Sequence, residues 1–108
     1  PWPTLAHVQP VHLPDGLTLT DLAVHDGRLW FLAVAEDSPD AWNDGPVRAV
    51  ALGHFDGHRP VHAPIDGLDP EIHGKPEGLV LLHAHRALLV TDPDDPHRPA
   101  MLLDVALP

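Results

Sequence analysis

Four carboxylates form the strongest chemical pattern in this sequence of 108 residues. Asp21 and Glu77 open two similar segments, Asp21-Leu-Ala-Val24 and Glu77-Gly-Leu-Val80, at an offset of 56. Glu36 and Asp94 make a second pair, at an offset of 58, just past two apolar runs, with Asp37 and Asp95 beside them. Carboxylates that converge repel one another unless a cation or a proton neutralises them, and calcium takes about six to eight oxygen ligands. Asp21, Glu36, Glu77 and Asp94 are therefore candidate ligands of a divalent cation. The competing reading is that acids at strand ends cap turns through their own backbone, as Asp does in Asx-turns. Trp42 and Asp44 lie in a long loop, 36–46, where an aromatic and an acid can meet a ligand at a channel mouth or simply pack their own loop.

Other chemistries find little support. The ten histidines include no His-Glu-x-x-His and no Cys/His cluster of zinc spacing. His58 and His62 flank an edge segment, and His83 and His85 straddle a hairpin turn, so they read as solvated. Ser38 is the single serine and lies outside any Gly-x-Ser-x-Gly elbow. The run Asp92-Pro-Asp-Asp95 lacks the glycine and distal glutamate of an EF-hand loop. There is no cysteine, hence no disulfide and no thiolate chemistry. Sixteen acidic against six basic residues give a formal charge of −10, which repels phosphate backbones and argues against nucleic acid as a partner. The longest apolar run, 29–35, is too short to span a membrane. The absence of cysteine and of a signal-peptide pattern points to the cytoplasm and is compatible with export. The opening Pro1-Trp2-Pro3 suggests that a segment was removed or that a longer protein precedes it.

The elements that must position these residues repeat. Pro10-Val-His-Leu-Pro14 returns as Pro60-Val-His-Ala-Pro64, Arg28-Leu-Trp-Phe-Leu-Ala-Val34 as Arg86-Ala-Leu-Leu-Val-Thr-Asp92, and Ala49-Val-Ala-Leu52 as Asp104-Val-Ala-Leu107. Matched segments in one order, about 50–58 residues apart, have the period of propeller blades. Fourteen prolines and eight glycines suit short strands and frequent turns. First strands are expected at 18–24 and 77–82, second strands at 28–35 and 86–91, third strands at 47–52 and 101–107, and a fourth at 60–63. Asp26-Gly27 and Asp56-Gly57 favour tight hairpins. The second strands are continuous apolar runs, so both of their faces should be buried; Trp30 belongs to the core. The fold class is all-β: antiparallel four-stranded meanders arranged as β-propeller blades, about two of them. Residues 1–14 read as the outer strand of a preceding blade or a linker, 15–64 as one repeat, and 65–108 as a second, incomplete one. A small two-sheet structure closed on itself is the alternative.

The segments Thr20-Asp-Leu-Ala-Val24, Ala33-Val-Ala-Glu36, Asn43-Asp-Gly-Pro-Val47 and Ala51-Leu-Gly53 resemble consecutive motifs of a bacterial β-propeller family of unknown function. Gly74-Lys-Pro-Glu-Gly-Leu79 and Val90-Thr-Asp-Pro-Asp-Asp-Pro96 resemble its C-terminal blade, and the Glu-Gly-Leu start is similar to phytase-like and esterase-like propellers. The resemblance covers about residues 16–108 and implies a propeller, with calcium held by carboxylates in the phytase-like branch. Two functions follow. One is a ligand- or partner-binding module. The other is a calcium-dependent hydrolase of phytase or lactonase type, in which the cation polarises a phosphoryl or ester oxygen. A closed propeller takes about four to eight blades, so the expected partners are missing blades or further copies of the chain, three of which would supply six.

Overall fold

Seven strands follow one another along the chain: β1 (Thr18–His25), β2 (Arg28–Glu36), β3 (Val47–Asp56), β4 (Arg59–Pro64), β5 (Lys75–His83), β6 (Arg86–Asp92) and β7 (Leu102–Ala106). One helical turn, α1 (Pro70–His73), precedes β5. The architecture is a computed structural model that describes residues 1–37, 45–93 and 95–108. Strands β1 to β4 form one antiparallel meander, sheet A, and β5 to β7 a second, sheet B. The protein is all-β, as composition and turn signals require. No helix among the described residues is long and apolar enough to cross a membrane.

Turn chemistry sets the hairpins. Asp26 and Gly27 both have positive φ, 54° and 75°, as the two central residues of a type I′ turn must. The second hairpin turns one residue later than the Asp56-Gly57 signal suggests. Asp56 still pairs with Arg59 at the end of β3, and Gly57, at φ 61°, takes the first central position. In β4 the backbone N–H of Ile65 points in toward Val50, so the even-numbered amides face away from β3. Two of those positions, Pro60 and Pro64, carry no N–H at all, which suits a strand at a sheet edge.

The two meanders share an irregularity that reveals their true register. In β1 the pairing with β2 jumps between Leu19 and Asp21, and in β5 the pairing with β6 jumps between Pro76 and Gly78. Thr20 in β1 and Glu77 in β5 are thus matching bulged residues, and β5 has a further shift between Leu81 and His83. Asp21 pairs with Leu32, and Gly78 with Val90, which is Leu32 plus 58. Glu77 is therefore the counterpart of Thr20, and the apparent Asp21–Glu77 equivalence is one residue out of step. The third strands shift further. Trp30 pairs with His54 and Leu88 with Asp104, so Asp104 corresponds to His54, at an offset of 50, and not to Ala49.

Pairing also defines the faces, because directly opposed residues share one. The inner face of sheet A carries Ala23, Trp30, Leu32, Val34, Val50 and Leu52. It packs on Leu79, Leu81, Ala87, Leu89, Leu103 and Val105 of sheet B. Leu89 matches Phe31 through the offset of 58, and Phe31 lies on the opposite, outer face of sheet A. The sheets therefore stack in the same sense, the inner face of A on the face of B that corresponds to the outer face of A. Strand β2 is buried on both faces from Phe31 to Ala35. Strand β6 departs from that expectation: Ala87, Leu89 and Thr91 are buried, whereas Leu88 is half-buried and Val90 exposed. No layer covers the far side of sheet B among the described residues, so the run that reads as doubly buried in sequence alternates in space.

Gly53 sits where β3 passes beneath the Phe31 ring. A Cβ there would collide with the Phe31 side chain and the Val61 carbonyl, and would lie 2.9 Å from the His62 Cβ. The backbone oxygen cannot swing aside, so Gly53→Ala should destabilise the fold by about 1–3 kcal/mol, the usual cost of overpacking. Gly53→Ala is expected to melt below the wild type in a thermal scan, and an unchanged midpoint would contradict the packing described.

Candidate functional site

Strands β1 and β5 lie side by side, and Asp21 ties them. Its Oδ1 accepts the N–H of Leu22 at 2.8 Å, and its Oδ2 accepts the N–H of Leu79 across the sheet boundary at 2.7 Å. The bulge in β5 is what presents Leu79 to the carboxylate, because it breaks the alternation just before Gly78. Gly78 faces the same group: a Cβ added to it would lie 3.8 Å from Asp21 Oδ2. Asp21 is thus a structural acceptor between the two meanders.

At one end of the sheets Lys75 stands between Glu36 and Glu77. Its ammonium pairs closely with Glu36 Oε1 and lies 3.6 Å from Glu77 Oε1. One of these two negative charges is balanced from within the chain, by a cation that sequence reading passed over. Among the described residues, no group of three or more His, Asp or Glu side chains is arranged to hold a metal ion. Asp94, Trp42 and Asp44 lie outside the described residues. The structure brings Glu36 and Glu77 together through Lys75 and gives Asp21 a separate role. A shallow recess of about 210 Å³ opens here, lined by Glu36, Lys75, Glu71 and Arg98 among others. Arg98 donates to the carbonyls of Glu71 and Ile72 at 3.4 and 3.3 Å, so it holds α1 against this rim.

A cleft of about 860 Å³ runs between the sheets toward their outer strands. Trp30, Leu52, His54 and Val61 form its sheet A wall, and Val105 and Leu107 face them from the sheet B side. The Trp30 and His54 rings meet edge to face, with centroids 5.1 Å apart. His54 Nδ1 is buried and makes no hydrogen bond, an arrangement that costs about 1–3 kcal/mol when a polar atom is left unpaired. Near the mouth, Arg86 grips Asp104 with a two-pronged contact, Nε to Oδ1 at 2.7 Å and Nη2 to Oδ2. Through that hydrogen bond above all, and also through its charge, Arg86 holds the Asp104 carboxyl below its ordinary value of 3.8.

The cleft residues escaped sequence reasoning because Trp30 reads as core and the histidines as edge. One signal was present: His54 interrupts an otherwise apolar stretch from Val50 to Phe55, on the same face as Trp30. A family model described as "Family of unknown function (DUF6910)" matches residues 2–96. Comparison with curated proteins and with solved structures returns no match.

Removing the Asp21 acceptor leaves the Leu79 amide without its partner. Asp21→Ala should cost about 1–3 kcal/mol, whereas Glu77→Gln, at an exposed pair, should move stability by less than about 1 kcal/mol. Urea unfolding of both variants checks this, and equal losses would remove Asp21 from its role. The Asp104 pair has a pH signature. Its folded-state value is depressed, so its contribution is fully present above 3.8 and is lost as pH falls through the lower folded value. The stability gap between wild type and Asp104→Asn should accordingly narrow from about pH 7 to about pH 3.

Proposed function

The chain belongs to this family of unknown function, and we propose that it is a binding module built as two neighbouring β-propeller blades, with the inter-sheet cleft as its ligand site. The observation that carries the binding reading is the buried, unpaired Nδ1 of His54 beside the Trp30 ring in a cleft of about 860 Å³. Binding clefts are mostly apolar, with a few polar groups that fix orientation, and buried polar atoms without partners are rare enough in folded proteins to call for a reason. A ligand that lies against the indole and hydrogen-bonds the imidazole supplies that reason. Its class is a flat, partly polar group, either a small molecule or an aromatic or amide side chain of a protein partner. The propeller reading is supported by the same-sense stacking of the meanders, by the bulge repeated in β1 and β5, and by the adjacency of those two strands.

The alternative, a calcium-dependent hydrolase, asks Asp21, Glu36 and Glu77 to turn toward a cation. Each already has a partner in the chain: backbone amides for the first and Lys75 for the other two. The binding reading therefore stands ahead of it.

Ligand-observed nuclear magnetic resonance with a mixture of small aromatic acids and amides as probes tests the site. His54→Leu should melt no lower than the wild type, since it removes an unpaired buried atom, and should lose the probe signals that the wild type gives. Probes that bind the variant equally well, or none that bind the wild type, would overturn the cleft as the site.

A further inference from the structure

We infer that the occupant of the inter-sheet cleft is Trp2 of a second copy of this chain, a reading that rests on the cleft as the ligand site and names its partner. Two copies exchange their N-terminal arms, each arm seated in the other's cleft.

The arm is residues 1–10, exposed throughout and outside any strand or helix. Trp2 is 86% exposed, and Leu5 and Val8 are uncovered with it. Tryptophan is highly buried on average, so an indole standing in water needs a reason. The three apolar residues recur at every third position, among Pro1, Pro3 and Pro10. A polyproline II segment turns once in about three residues, which lines all three along one side. Proline-rich segments of this kind dock into aromatic-lined grooves, because their backbone is already fixed before binding. Residues 1–14 also carry no acidic side chain, in a chain whose formal charge is −10. This stretch can therefore approach a second copy without like-charge repulsion.

The cleft has the complementary chemistry. Leu52 and Val61 on one wall and Val105 and Leu107 on the other offer aliphatic surface to Leu5 and Val8. His54 Nδ1 is buried there with no hydrogen-bond partner. With its proton on Nε2, a neutral imidazole accepts at Nδ1 and so requires a donor. The indole Nε1–H is a donor and nothing else. Its ring packs on a second indole in the offset or edge-on geometry that aromatic pairs prefer, and Trp30 already meets His54 edge to face. One inserted tryptophan thus satisfies the imidazole and covers the Trp30 ring together. An ionised carboxylate has no proton to give, and an aliphatic side chain has none either. The volume of about 860 Å³ leaves room for the indole and the residues that follow it.

The donor is a second copy because within its own chain Trp2 stands exposed and the arm is rooted at the far end of the sheets. Arg48, near the start of β3, donates to the Asp15 carbonyl at 2.8 Å. That contact holds the root of the arm beside the Glu36 end of sheet A, away from the cleft mouth. Val11 and Leu13 are half-buried and keep their places. From Val11 the nine steps to Trp2 reach about 30 Å, so the arm enters a neighbour without disturbing its root. Reciprocal exchange is a two-fold contact that uses the same arm and the same cleft in both copies. Once the first arm is seated, the second finds its cleft as an intramolecular event.

Sedimentation of the full chain over a concentration series should show the mass rise from the 11.7 kDa monomer toward twice that value. Trp2→Ala, on an exposed arm, should weaken the dimer at least about tenfold with an unchanged far-ultraviolet spectrum. Trp2→Phe keeps a ring and removes the donor, and His54→Leu removes the acceptor. Each should weaken the dimer, and the double variant should lose less than the product of the two single losses, because they break one contact. Isotope-filtered nuclear magnetic resonance on mixed labelled and unlabelled chains should show the Trp2 indole of one copy against His54 of the other. A wild type that stays monomeric up to about 1 mM, Trp2 contacts confined to its own chain, or a Trp2-dependent dimer indifferent to His54→Leu would overturn the proposal. Benzamide reads the cleft separately: where the wild type is dimeric, it should bind Trp2→Ala more tightly, since the arm no longer competes. Equal binding to the two chains would overturn the arm and spare the cleft, whereas binding to neither would overturn both.

Discussion

Everything in this molecule depends on Leu89 of sheet B packing against Leu32, Val34 and Val50 of sheet A. These side chains come from two meanders that have no backbone ladder in common, so apolar burial is what joins them. A fully buried leucine contributes about 1.5–3 kcal/mol, and the same cluster cannot form with sheet A reversed, because Phe31, Ala33 and Ala35 would then face Leu89 in place of Leu32 and Val34. The same-sense stacking is thus a consequence of which face of β2 carries its larger aliphatic residues. The cleft follows from it too. The sheets are closest where β1 meets β5 and diverge toward β4 and β7, and Trp30 and His54 stand in the gap.

Around that apolar joint, polar groups act as fasteners with limited reach. Asp21 closes the innermost seam by accepting an amide from each sheet. Lys75 reaches across to Glu36 and so ties the end of β2 to the start of β5. Arg86 and Asp104 brace β6 against β7 within sheet B. The first links the meanders at mid-strand and the second at one end of the sheets, and the opposite end is where the cleft opens.

Fold class and strand order were legible in the sequence because turn residues punctuate it: Asp26-Gly27 and Gly57 stand where the backbone needs positive φ. The repeat was legible as well, but its register was not. A bulge adds one residue without altering composition, so the match of Asp21 with Glu77 reads as well as that of Thr20 with Glu77, and a single residue decides which face a side chain takes. The role of Lys75 was hidden for another reason. Glu36 lies 39 positions before it in the sequence (75 − 36), on a different sheet, and local pattern carries no trace of that approach. His54 was legible only as an oddity, a polar residue within an apolar strand. That it faces a cleft depends on where sheet B lies, and strand periodicity does not report the position of another sheet.

The prolines of β4 have a consequence for how the protein fails. An open strand edge is a template for lateral addition, the route by which β-proteins grow into fibrils. With Pro60 and Pro64 at two outward amide positions, sheet A offers an incoming strand a broken row of donors and resists sideways growth. The edge of β7 has no such guard. Of these two outer edges, β7 is thus the one open to fibril seeding under partial unfolding, and a peptide that sits on β7 would act as an aggregation inhibitor there while one designed for β4 would find little to hold.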